Sequence, residues 1–560
     1  MLRLIAAVLY LLTLSVTYGQ QCKAPYDVSF RVVDLREGRK AAFWYPTATP
    51  GKPTAYAEGG IQGNFTRNEP PMACSFPLIV FSHGLGGCGT QSLFLTEELA
   101  RAGFVVIAPD HRDAACTVDG SGAPNFQDTQ ESLLEPEKWT AATYADRKED
   151  VEKAIDLALS DGSIGKVVDR ERIGIVGHSL GGYTALGLLG AWPQWRDDRI
   201  RAAVLLSPYL LPFQSKKTLT NINKPVMLQG ADFDLGITPS LEGANGAYAT
   251  LAEPRYFVKL KGGSHFEWTN LLCLGKDSIA QCLETKANAR LINSYSIDFL
   301  RRYLEQSPSA LLLGTNSELR TYERTVVLVA VSAASFDQQV GVAPSSIASA
   351  FAEGLASADT AAQTLPLPTS LDGVKAVVSD ADGKSYDAAL FFAGQGQVNL
   401  LAPQALARGA ASVRITRNGQ TIAEGSVQVN SVAPGVFSAG ASGDGVAAAT
   451  YLRVAADGGR TSGLIFDPAS GAPTPLDVTA PGEQIYVSLF GTGLRGASAV
   501  TATVGGVNVK VAGPVPHSEF AGLDQLNLGP LPASLAGKGL VDIRLSAGSF
   551  SANPTQALIR

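Results

Sequence analysis

The chain has 560 residues, more than one hydrophobic core can organise, and at about 150 residues per domain it should divide into three or four units. Its net charge is −6, with 45 Lys and Arg against 51 Asp and Glu. That balance offers no basic stripe for nucleic acid and no polybasic run for anionic lipid, so neither is expected as a partner.

The first residues, MLRLIAAVLYLLTLSVTYGQ, combine one basic residue, an apolar run from Leu4 to Val16 and small residues at Thr17 and Gly19. This is the pattern of a secretory signal peptide over residues 1–19. The run is shorter than the roughly 20 apolar residues a membrane anchor needs. A secreted or extracytoplasmic location, in the periplasm or at the cell surface, is therefore expected. The cysteines agree: all six, Cys22, Cys74, Cys88, Cys116, Cys273 and Cys282, lie in the first half, and no pair has C-x-x-C spacing. Closeness in sequence favours Cys273 with Cys282, and Cys88 with Cys116 and Cys22 with Cys74 complete the expected set.

Residues 20–306 alternate short β-branched runs with helical stretches, the signature of a mostly parallel sheet with helices on both faces. DVSFRVVDL and KAAFWYP open as a hairpin; FPLIVFS, GFVVIAP, RIGIVG, RAAVLLS, PVMLQ and RYFVKL are the buried strands. SLFLTEELARA, DRKEDVEKAIDLALS, YTALGLLGA and ANARLINSYSIDFLRRYLEQ carry helical spacing. The fold class is α/β. A polar stretch from Asp113 to about Thr143, containing Trp139, interrupts the alternation as a lid or binding loop would.

After a linker at 307–324, cysteine vanishes and Gly, Ala, Ser and Val dominate short runs broken by turn residues, which predicts an all-β region. VAPSSIASAFAEGLA is echoed by TAPGEQIYVSLFGTGL, and GQVNLLAPQALARGAASVRIT by DQLNLGPLPASLAGKGLVDIRLS. A period of about 130 residues suits tandem immunoglobulin-like sandwiches, expected at 325–432 and 433–560.

Between the strand RIGIV and the helix LGGYTALGLLGA lies Gly177-His178-Ser179-Leu180-Gly181, a G-x-S-x-G elbow. Such a turn closes only if its neighbours lack side chains, and it lifts the serine hydroxyl above the sheet beside a helix N-terminus. A serine needs a base. Of five histidines, His517 lies in the all-β region, His178 is turned away from Ser179 by the elbow and should be a packing or loop-ordering residue, and His83 and His111 precede the nucleophile. His265 remains, in the loop after the last strand. Chain order then puts the acid between them, after the strand PVMLQ, where Asp234 is preferred and Asp232 is the alternative. Oxyanion donors are expected from the backbone N–H groups of Leu180 and, in the glycine turn FSHGLGGCG, Leu85. Phe266, Trp268 and Trp139 are candidates for an apolar acyl pocket. No cofactor and no metal are expected; DHRD at Asp110–Asp113 offers ligand types but no distant partner.

Through FSHGLGG, GHSLGG and GSHFEWTN, residues 26–305 resemble the α/β-hydrolase fold, and within it the platelet-activating-factor acetylhydrolase and dienelactone-hydrolase-like esterases. The resemblance implies Ser179 as nucleophile, Asp234 as acid, His265 as base and Leu85 and Leu180 as oxyanion donors. Dienelactone hydrolases proper use cysteine where this chain has Ser179. The C-terminal region, through VAPSSIASAF, GQVNLLAP, APGEQIYVSLFGTGL and LDQLNLGPLP, resembles a repeated domain of exported acidobacterial proteins, which implies an extracytoplasmic setting. The expectation is a secreted serine esterase for short-acyl or lipid-like esters, small or polymeric, with possible cell-surface or polymer contact through the sandwiches. The alternatives are a polymer-ester depolymerase held on its substrate by the sandwiches, and a surface binding protein with an inactive hydrolase domain.

Overall fold

The computed structural model describes residues 22–57, 60–122, 130–314 and 316–560. The expected signal segment at 1–19 lies outside the described residues, as does the middle of the 113–143 insertion. The chain divides into two compact units, Met1–Glu323 and Arg324–Arg560.

The first unit opens with the expected hairpin. Strands β1 (Asp27–Arg36) and β2 (Arg39–Thr47) pair antiparallel around Glu37-Gly38, both with positive φ. That is the two-residue turn whose twist matches its flanking strands. Then come β3 (Lys52–Ala55), β4 (Gln62–Arg67), β5 (Phe76–Ser82), helix α1 (Leu93–Arg101) and β6 (Val105–Pro109). Helix α2 (Ala145–Ser160), β7 (Val168–His178), helix α3 (Leu180–Leu186), β8 (Ile200–Leu206), β9 (Val226–Ala231), β10 (Arg255–Leu260) and helix α4 (Ala287–Leu304) complete the layer.

Among the described residues the sheet order is β3-β4-β1-β2-β6-β5-β7-β8-β9-β10, parallel from β6 to β10. Central strands covered on both faces must be apolar at every position, and β5 is buried at all seven. Its residues alternate between layers: Leu78 and Val80 join Ala154, Ile155, Tyr183 and Leu186 of α2 and α3 in one cluster, while α1 and α4 pack together elsewhere. Truncating one of these side chains, as in Leu78→Ala, should cost about 2–5 kcal/mol. From β5 the chain turns one way through α1 to β6 and then crosses back to β7. That reversal opens a crevice beyond the carboxyl ends of β5 and β7, where open α/β sheets bind ligands. Cys22–Cys74, Cys88–Cys116 and Cys273–Cys282 are the three disulfides, the pairing expected from sequence.

The second unit is all-β, with two apolar cores that draw respectively on residues between Leu328 and Val429 and between Val432 and Ile559. Around the first, strand Ser385–Ala393 pairs in one sheet as far as Ala388 and in the other from Ala389, with a register shift between Leu390 and Phe392 in the second pairing. Around the second, Gln484–Thr492 and Asp524–Leu528 lie in one sheet and Val500–Val504 and Gly539–Ala547 in the other. The sequence echoes occupy equivalent strands. Ser349 faces Asn399 and donates to its Oδ1 at 2.8 Å, and Gln397 donates to the same oxygen at 2.7 Å. In the second copy Ser488, Asn527 and Gln525 repeat the arrangement at 2.7 and 3.0 Å.

Candidate active site

Four turns at the carboxyl edge of the sheet build the site, following β5, β7, β8 and β9, with the loop after β10 closing over them. Ser179 joins β7 to α3 with φ 53° and ψ −115°, a conformation L-residues avoid unless the surroundings enforce it. They do so here. A Cβ at Gly181 would run into the Ser82 carbonyl oxygen, and one at Gly177 into the backbone of Gly181. The Ser179 N–H donates to the Leu206 carbonyl at 3.0 Å, and its own carbonyl accepts from Gly182, Tyr183 and Tyr209.

The hydroxyl thus held lies 3.0 Å from His265 Nε2. His265 Nδ1 lies 3.1 Å from Asp234 Oδ1. Asp234 is 2% exposed. Its second oxygen accepts from the hydroxyls of Ser207 and, at 3.4 Å, Thr238. Asp232 turns elsewhere: it pairs with Arg320 at 2.8 Å and accepts the Gly262 N–H, and the Arg320 hydrogen bonds hold its carboxyl below the usual range. The structure therefore brings Ser179, His265 and Asp234 together and leaves Asp232 out.

His178 does order a loop. Gln91 fixes its tautomer: the Gln91 Oε1 accepts from Gly84 N–H at 2.9 Å, so its amide nitrogen donates to His178 Nδ1 at 3.0 Å. His178 Nε2–H then donates to the His265 carbonyl at 3.0 Å. Burial first, and then the neighbouring His265, push the His178 pKa down to about 3, so this ring is neutral. The chain Gly84–Gln91–His178–His265 ties the turn after β5 to the loop that carries the imidazole.

A second buried group acts on the same turn. Arg147, fully buried on α2, donates to the carbonyls of His83 at 2.8 Å and Gly84 at 3.2 Å and pairs with Asp113 at 2.6 Å. Leu85, the residue after Gly84, lines the cavity together with Leu180. Leu180 is the first residue of α3, whose N–H has no intrahelical acceptor.

The cavity over Ser179 measures about 380 Å³, and its apolar wall includes Leu85, Leu133, Tyr209, Phe233, Leu235 and Ile237. This corrects the expected pocket. Trp139 is fully buried, packed against Tyr144, Tyr183 and Tyr209, with its N–H on the Ser132 carbonyl; it backs the Tyr209 wall and does not line it. Trp268 is likewise buried, donating to Gln229. Phe266 stands edge-on to the His265 ring, 56% exposed and outside the cavity. Phe233, Leu235, Leu133, Tyr209, Ser207 and Arg147 were missed. The first two lie in the very loop searched for the acid, GADFDLGITP, where two apolar side chains flanking the acids were a usable signal.

The DHRD run is committed to internal contacts: Asp110 accepts from Gly89 and Val118 N–H, His111 meets Asp150 and Ser82, and Asp113 pairs with Arg147. Among the described residues no group of three or more His, Cys, Asp or Glu could hold a metal. Chemically, the constellation offers a hydroxyl beside an imidazole nitrogen, with a buried carboxylate behind the ring and a helix N-terminus alongside. Those are the elements that activate a serine toward an acyl carbon.

The model of the alpha/beta hydrolase family matches residues 79–366, just over half of the chain. The chain belongs to the alpha/beta hydrolase family. The chain is 27% identical over 263 residues to a platelet-activating factor acetylhydrolase of Cavia porcellus, a match covering 41% of the chain and 58% of that protein. A platelet-activating factor acetylhydrolase of Canis lupus familiaris is 28% identical over 194 residues, 29% of the chain and 42% of that protein. The chain thus spans about half the length of these relatives. Cutinase 2 of Thermobifida cellulosilytica is 25% identical over 286 residues, covering 50% of the chain and 87% of that protein. Among solved structures, a ferulic acid esterase from Streptomyces cinnamoneus aligns at 21% identity with a TM-score of 0.41, over 53% of the chain and 96% of its own.

Proposed function

We propose that this hydrolase is a serine carboxylic-ester hydrolase. The observation that carries the reading is the Ser179–His265–Asp234 hydrogen-bond chain beneath an apolar cavity. Ser179 Oγ attacks the ester carbonyl while His265 Nε2 takes its proton. The tetrahedral oxyanion is met by the N–H groups of Leu85 and Leu180, which are positioned in advance and need no reorganisation. His265 returns the proton to the leaving alcohol, water enters by the same route in reverse, and the acid is released. Asp234 fixes the imidazole tautomer and stabilises the imidazolium. A cavity of about 380 Å³ is near the small end of ligand pockets, about 300–1,000 Å³, which supports short acyl groups. The three disulfides support export through the N-terminal segment. In this reading the β-sandwiches serve as a spacer or hold the enzyme near its substrate.

A second reading, a depolymerase of apolar polyesters, is favoured by one observation. In the first unit, among the described residues, the exposed large apolar side chains are Leu133, Leu134, Phe233, Leu235, Phe266, Leu271 and Leu274. All belong to segments beside the cavity or the His265 loop. The relatives named cutinases point the same way.

The test is a fluorophosphonate probe with the adduct located by mass spectrometry, followed by a p-nitrophenyl ester series. Labelling at Ser179, loss of turnover by about a million-fold in Ser179→Ala and preference for short acyl chains are expected. No label would refute the enzyme and favour a binding protein. Leu134→Ser and Leu274→Ser, exposed and outside the cavity lining, slow attack on an insoluble polyester but spare p-nitrophenyl acetate if the second reading holds.

A further inference from the structure

We infer that Ser207 is a positioning residue for the proposed ester hydrolysis, its hydroxyl bridging Asp234 and His265 Nδ1 and holding both in the reactive arrangement; the inference rests on the esterase reading. Ser207 follows β8 and is fully buried. Its hydroxyl contacts two groups, Asp234 Oδ2 and, at 2.9 Å, His265 Nδ1. A carboxylate only accepts, so the single hydroxyl hydrogen goes to Asp234, and the oxygen is left to accept from His265 Nδ1–H. That direction dictates the rest: with its proton on Nδ1, His265 presents a bare Nε2 to the Ser179 hydroxyl. The imidazole proton is therefore shared between Asp234 Oδ1 at 3.1 Å and Ser207 Oγ at 2.9 Å. When the ring becomes cationic, both acceptors are already in place.

The backbone gives an independent reason to single out this serine. Ser207 has φ 44°, in the left-handed region, where glycine fits without strain. The turn is pinned on both sides, with Ser207 N–H on the Gln229 carbonyl at 2.8 Å, Ser179 N–H on Leu206 and Tyr209 N–H on Ser179. A position that suits glycine yet carries a hydroxyl aimed at two ionisable groups retains strain in favour of a side chain. Thr238, at 3.4 Å from the same carboxylate oxygen, is too distant to replace it.

Ser207→Gly and Ser207→Ala in the full chain test this, with steady-state kinetics on a short p-nitrophenyl ester. Loss of a hydrogen bond to a charged partner is expected to lower kcat about ten- to hundredfold with KM within about twofold. Glycine relieves the φ strain but also removes the hydrogen bond to Asp234, so thermal melting is read beside kcat; a merely structural serine would lose stability and nothing in kcat. Because the hydroxyl acts through Asp234, adding Ser207→Gly to Asp234→Asn should lower kcat by less than about threefold more. A Ser207→Gly enzyme within about twofold of the parent, or one whose effect is fully additive with Asp234→Asn, overturns the inference and leaves the esterase reading intact. A parent protein that neither takes the fluorophosphonate nor turns over ester refutes both.

Discussion

Protonation of His178 should unlock the site from the acid side. In the unfolded chain an imidazole takes its proton below about pH 6.5. Folded His178 resists until about 3, because it is buried and lies beside His265. Between those values the unfolded state binds the extra proton, so His178 contributes stability that is present above about 6.5 and drains away as pH falls. Each pH unit is worth about 1.4 kcal/mol, so about 2 kcal/mol disappears between pH 6.5 and 5.0. In His178→Gln a neutral amide can serve both Gln91 and the His265 carbonyl, and this part of the pH dependence should vanish. The assay is urea unfolding at pH 7.5, 6.5 and 5.0 followed by tryptophan fluorescence. All five tryptophans, Trp44, Trp139, Trp192, Trp195 and Trp268, lie in the first unit, so the signal reads that unit alone. The stability difference between parent and variant should shrink by about 2 kcal/mol from pH 6.5 to 5.0; a difference that stays constant with pH would refute the argument.

Other expectations follow from the same contacts. Asp234→Asn should lower kcat by about ten-thousandfold by favouring the wrong imidazole tautomer, whereas Asp232→Asn, which touches Arg320 and Gly262, should stay near parental turnover in the same ester assay. Arg147→Met leaves Asp113 buried without its partner and frees the His83 and Gly84 carbonyls; it should destabilise the first unit by about 3–5 kcal/mol in urea titrations. Reduction should depress the first thermal transition and spare the second, since every cysteine lies in the first unit; by loop entropy the 52-residue span of Cys22–Cys74 is worth about 4 kcal/mol and the 9-residue span of Cys273–Cys282 about 2.5.

The parallel strands were legible because burial on two faces forces unbroken apolar runs such as FPLIVFS and RAAVLLS. Strands β3 and β4 were not: Lys52–Ala55 is short and mostly exposed, and the half-buried Gln62–Arg67 has Phe65 as its one large apolar side chain, so no hydrophobic period marks them. The same contrast runs through the site. Ser179 announces itself because a strained elbow demands glycines nearby, and chain order then narrows the search to His265 and Asp234. Ser207 sits in LLSPYL with no such mark; its importance arises from contacts with residues 27 and 58 positions away. Trp139 and Trp268 misled for a related reason. Their neighbourhood in sequence is the site, but their burial is decided by Tyr183, Tyr209 and Gln229, which only the fold brings to them.

The paired serine, asparagine and glutamine of each sandwich also bear on how such a region changes over time. A strand that slips by one residue would present its core face to water. Since each copy specifies its own alignment with three side chains from two adjacent strands, a duplicated segment arrives with its instructions for pairing included. The number of modules can then change by recombination while the sheet that carries Ser179 is left untouched.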